Sequence, residues 1–116
     1  MSSAAEARFR IAEPRPTGRV LKVVALDRVT DADLKDVAAA DFVVMVTTAG
    51  ADARSAATIG EVCSRHRIAT ATVVVRRTSA TDEMLSTTLA QVRPWSLMVV
   101  VAGDESYLED FLKSFR

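Results

Sequence analysis

The chain of 116 residues is short of the side chains that build metal and redox centres. It has one cysteine, Cys63, and one histidine, His66. A single cysteine excludes an internal disulfide framework and any cysteine-rich zinc site. A single histidine excludes a multi-histidine metal cage, so no metal is expected. Glycine is scarce where nucleotide sites need it. "AGADARSA" (49–56) holds only Gly50, whereas the dinucleotide fingerprint needs three glycines and a P-loop ends in Gly-Lys-Ser/Thr. The turn "ALDRVTDAD" (25–33) holds none. No cofactor is identified by these patterns. An excess of either charge is also missing. Fifteen basic and fifteen acidic residues give zero net charge. No global field then favours nucleic acid or an anionic membrane, and nucleic acid is not an expected partner. The longest apolar runs, "FVVMV" and "LMVVVA", are far short of the roughly 20 residues of a membrane span. "MSSAAEARFR" has no apolar core of a secretory signal. A reducing, cytoplasmic setting is the expectation.

What is present is a repeated strand–helix pattern. Residues 1–18 read as an N-terminal tail or edge segment, broken by Pro14, Pro16 and Gly18. A single domain, 19–116, follows. Strands are expected at 19–26, 41–48, 68–77 and 96–103, and helices at 30–40, 52–67, 81–93 and 104–116. Thr30 with Asp33 has capping-box spacing. Pro94 stops the third helix, and Asp104 is the expected cap of the fourth. The strands are near-continuous apolar runs, which implies burial on both faces. The expected fold is a three-layer Rossmann-like or flavodoxin-like α/β domain with a four-stranded, mainly parallel sheet. Helix stripes agree: Leu85, Leu89 and Val92 on the third, and Tyr107, Leu108, Phe111, Leu112 and Phe115 on the fourth. The second helix has a small stripe, Ala56, Ile59, Gly60 and Cys63, suited to close packing on the sheet.

In open parallel sheets, ligands sit beyond the carboxyl ends of the strands. That edge gathers Thr47, Thr48, Gly50, Arg54, Ser55, Arg76, Arg77 and Thr78 as candidate ligand-binding residues. Helix amides and arginine forks suit phosphate or carboxylate. A competing reading pairs these arginines with Asp52, Asp82 and Asp104 and uses Thr47 and Thr48 to end the strand. Cys63 and His66 are three apart on one helix, but Cys63 falls on the sheet-facing stripe. A buried structural cysteine is expected there. No other catalytic constellation is present.

"ADFVVMVTTAGADARSAATIGEVCSRHRIATATVVV" (40–75), with "WSLMVVVAGDE" (95–105), resembles the strand–phosphate loop–helix–strand core of the tubulin/FtsZ GTPase family. The resemblance implies a Rossmann-type nucleotide-binding core. Only Gly50 and Ser55 match positions of that family's phosphate loop. Its glycine-rich loop is not reproduced, and sugar-isomerase domains share a similar strand and small-residue turn.

Three functions follow as expectations. The first is a domain that binds a small anionic ligand at residues 47–55 and 76–78. The second is a protein-interaction module without a ligand. The third is a small enzyme acting on a phosphorylated metabolite. A homodimer is expected if the uncharged fourth strand lies at a sheet edge.

Overall fold

A computed structural model describes residues 20–113. The expected segment at 1–18, Phe115 and the end of the fourth helix lie outside the described residues. The elements alternate: β1 (Leu21–Ala25), α1 (Asp31–Ala38), β2 (Phe42–Thr48), α2 (Ser55–His66), β3 (Ala69–Val75), α3 (Asp82–Val92), β4 (Met98–Ala102) and α4 (Glu105–Lys113). A 3-10 turn, Arg93–Trp95, carries Pro94 between α3 and β4.

All three strand pairings are parallel, and the order is β1-β2-β3-β4. This is the three-layer α/β architecture that the sequence implies, and it settles the strand order. Crossovers of one hand, taken in one direction across a sheet, leave their helices on one face. The main core is built there: Val24, Val43, Met45 and Val74 meet Val37, Ile59, Cys63 and Val92 of α1, α2 and α3. A smaller cluster on the opposite face joins Val44, Val73, Val75 and Ala102 to Leu108, Phe111 and Leu112 of α4. Tyr107 stays about half exposed, so the expected α4 stripe is narrower than its spacing suggests.

Local sequence explains the helix boundaries. Thr30 accepts from the Asp33 amide at 3.1 Å, and Asp33 accepts from the Thr30 amide at 3.0 Å. Both orphan donors at the start of α1 are thereby satisfied. Asp104 accepts from the Tyr107 amide at 3.2 Å, as the cap of α4. α2 starts at Ser55 rather than Asp52, because residues 49–54 form a loop. It ends on Arg67, which adopts the left-handed conformation with φ 56°. The small stripe of α2 is buried as expected. Its reason is different: a Cβ at Gly60 would lie 2.6 Å from the Trp95 side chain, so the close neighbour is the turn before β4 and not the sheet.

Burial on both faces holds for β2 and β3, and fails at the edges. β3 is buried from Thr70 to Val75, whereas Met98 and Val101 of β4 are exposed.

Candidate functional site

The carboxyl ends of the strands do bring the eight candidate residues to one edge, but the sheet divides them. Side chains alternate across a strand. Thr47 registers with Val74 of the main core, and Thr48 with Val75 of the α4-side cluster. Thr47 is therefore turned to the three-helix face, where it is buried and its Oγ1 has no hydrogen-bond partner. Arg54 and Ser55 line one concavity with Asp27, Asp52 and Thr58. Thr47, Thr48 and Arg77 nevertheless all border another, of about 300 Å³, with Asp27, Arg28 and Leu108. Thr78 is exposed in the turn after β3.

A phosphate-binding loop needs free amides, and loop 49–54 has already used most of its own. The Ala49 amide donates to the Val75 carbonyl at 2.9 Å, and the Ala51 amide to the Thr48 carbonyl at 2.9 Å. Gly50, at φ 92°, donates to Thr88 Oγ1 at 2.9 Å. The Ala53 amide donates to Gln91 Oε1 at 2.9 Å, and the Arg54 amide to Asp52 Oδ1 at 3.0 Å. Ser55 Oγ donates to the Leu26 carbonyl at 2.6 Å. Gly50 thus supplies the left-handed backbone of a turn that is tied to α3. Thr88 and Gln91 form that tie, and sequence reasoning missed them. The signal was available: Thr88 sits inside the apolar stripe of α3, between Leu85 and Val92, and it is fully buried.

Arg54 and Arg76 follow the competing reading, whereas Asp104 accepts from Ser106 Oγ and the Tyr107 amide. Arg54 lies 2.8 Å from Asp52, which holds the Asp52 carboxyl below its ordinary range. Arg76 Nη2 donates to Asp82 Oδ1 at 2.6 Å. Each arginine's charge is thus partly neutralised by a neighbouring carboxylate, although guanidinium donors beyond those pairs remain. Arg28 is 3.8 Å from Asp27, a looser pair between exposed side chains.

Nothing on α2 forms a nucleophile–base pair. Cys63 is buried, and burial pushes its thiol up to about 11, so it is protonated at neutral pH. His66 is exposed at the end of the helix. Among the described residues, no group of three or more His, Cys, Asp or Glu could hold a metal ion. No helix among them is long and apolar enough to cross a membrane.

No protein-family model matches the chain, and neither a curated protein nor a solved structure does.

The sheet order adds a further constraint. A ligand crevice opens in parallel sheets where the strand order reverses, because neighbouring crossovers then part to opposite faces. The order β1-β2-β3-β4 has no reversal among the described strands.

Proposed function

We propose that this domain is a protein-interaction module that works through its β4 edge. The observation that carries the reading is the exposure of apolar side chains there. Leu97 is 80% exposed, Met98 42% and Val101 45%. No charge interrupts Ser96 to Ala102. Edge strands are ordinarily blunted by charge, proline or a covering element, because an open edge templates association. β4 has none of these protections in its own sequence. The filled amides of loop 49–54 and the paired Arg54 and Arg76 support the same reading by weakening the anion alternative.

Photo-cross-linking compares the two regions directly. A photoreactive residue at position 101 is expected to form protein adducts in cells, and one at position 54 is not. Absence of adducts from position 101 would overturn the proposal.

A second reading rests on one observation, the cavity shared by Arg28, Arg77 and Thr48. A small phosphate or carboxylate there would raise the melting temperature of the purified domain. Inorganic phosphate and nucleotides are expected to leave it unchanged.

A further inference from the structure

We infer that the partner of the β4 edge is a second copy of this chain, joined antiparallel across a two-fold axis at Val100. This inference rests on the interaction reading above and adds the occupant and its register.

The backbone defines which groups are open. Ala102 accepts from the amide of Arg76, the residue after β3, at 2.7 Å. Alternation along the strand then turns Met98, Val100 and Ala102 toward β3, and leaves the peptide groups of Val99 and Val101 directed outward. The described part of the sheet ends at β4, so no further strand receives them.

The exposed side chains say what kind of partner fits. Met98 registers with Ala71 and lies on the α4 face, two residues from Val100, the partner of Val73. Val101 registers with Val74 and lies on the three-helix face. Both are exposed, on opposite faces of one strand. A helix docked on either face would cover one and leave the other. A strand added in the plane of the sheet, carrying its own flanking layers, covers both.

A two-fold interface must complement itself, since each residue meets the same surface on the partner. The uncharged run Ser96–Ala102 satisfies this, because no charge would face its own copy. Placing the axis at Val100 uses both outward residues: Val99 faces the partner's Val101, and Val101 faces the partner's Val99. Each pair exchanges two backbone hydrogen bonds in an antiparallel ladder. The same register sets Met98 opposite the partner's Ala102, a long side chain against a short one. The regular alternation begins at Met98: the Leu97 amide donates back to the Thr70 carbonyl at 2.8 Å, so Leu97 lies beside the end of the ladder and not within it. Two four-stranded sheets become one continuous sheet of eight.

Cysteine substitution reads out the register. Val100→Cys would meet its own copy across a non-hydrogen-bonded pair, at a Cα separation of about 4.5 Å, which a disulfide spans without strain. Val101→Cys would lie diagonal to its copy, beyond the roughly 7 Å limit for a bridge. With oxidised glutathione, Val100→Cys is expected to give a covalent dimer at least ten times faster than Val101→Cys. Light scattering of the unsubstituted chain at tens of micromolar should give the mass of two chains, and Val101→Lys the mass of one. Faster cross-linking through residue 101 would overturn the register. A one-chain mass for the parent across that range would overturn the dimer even if a cysteine variant failed to fold. A one-chain parent that still forms adducts from position 101 in cells would remove the second copy and leave the interaction reading standing. Loss of those adducts as well would remove both.

Discussion

β3 and β4 are adjacent strands of nearly equal apolar character, "ATATVVV" and "MVVVA", yet they live in different surroundings. β3 has a strand on each side, α2 and α3 over one face and α4 over the other. Its residues Thr70 to Val75 are all buried. Among the described strands β4 has one neighbour, and within it only Ala102 is buried. A strand that is apolar on both faces is composed for a central position. β4 carries that composition at an edge. The mismatch is the physical reason to look for a missing neighbour.

The comparison breaks most sharply with a charge. Val73→Asp puts a carboxylate into the apolar cluster between the sheet and α4. The cost is expected at about 4 kcal/mol or more, enough to abolish a cooperative thermal transition by circular dichroism. Val101→Asp, at the edge, should retain that transition and lose only self-association. Equal damage from the two would mean that β4 is as enclosed as β3.

Gly60→Leu comes next. The added side chain would meet Trp95, which seats the turn that leads into β4. Overpacking of this kind costs about 1–3 kcal/mol, readable as a lower urea midpoint. Helix propensity returns less than about 1 kcal/mol of it. A higher midpoint would show that Trp95 moves aside freely.

Thr88→Val keeps the shape of a buried side chain and removes the hydroxyl that accepts from the Gly50 amide and donates to the Ala51 carbonyl at 3.4 Å. Unsatisfied buried groups cost about 1–3 kcal/mol. The expected loss is near the lower end, because the loop can reach water. Urea unfolding measures it, and an unchanged midpoint would remove Thr88 as the loop's anchor.

The smallest effect is acid sensitivity beside β1, the other edge. Asp33 is held below its ordinary range, first by the Thr30 amide and then by Lys22 at 3.1 Å. A depressed folded value means that the contribution is fully present above the unfolded value of about 3.9. It is lost as pH falls through the folded value. Stability should therefore be flat in this respect from pH 7 to 5 and fall below about pH 4. Asp33→Asn should flatten that acid limb in urea midpoints measured against pH. An acid limb as steep in the variant as in the parent would assign it to other carboxylates.

Much of the fold was legible because its signals are local. Thr30 with Asp33, Asp104 and Pro94 mark element ends through contacts within a few residues, and the apolar runs mark strands. Strand order was not legible, since it depends on which runs meet, and "MVVVA" reads the same at an edge or a centre. The candidate site was legible as a place and not as a chemistry. The strand ends do gather Thr48, Arg54, Arg76 and Arg77. Thr88 was marked by its place in the apolar stripe of α3, but the loop amides that it and Gln91 meet, almost forty residues away, were not. The sequence offered the Asp52 and Asp82 pairings of Arg54 and Arg76 without choosing between them and an anion. The threonines of β3 were equally silent. Thr70 donates to the Trp95 carbonyl at 2.6 Å, and Thr72 shares a 2.6 Å hydrogen bond with Ser96, so both fasten the turn before β4.

Amide hydrogen exchange by NMR tests the difference between the two strands most directly. The account predicts that the amides of Thr72 and Val74 exchange slowly at every protein concentration. Those of Val99 and Val101 should be slow at tens of micromolar and become fast on dilution, as the partner strand leaves. Exchange at Val99 and Val101 that is fast at all concentrations, or slow at all of them in the Val101→Lys background, would contradict an edge that a second chain completes.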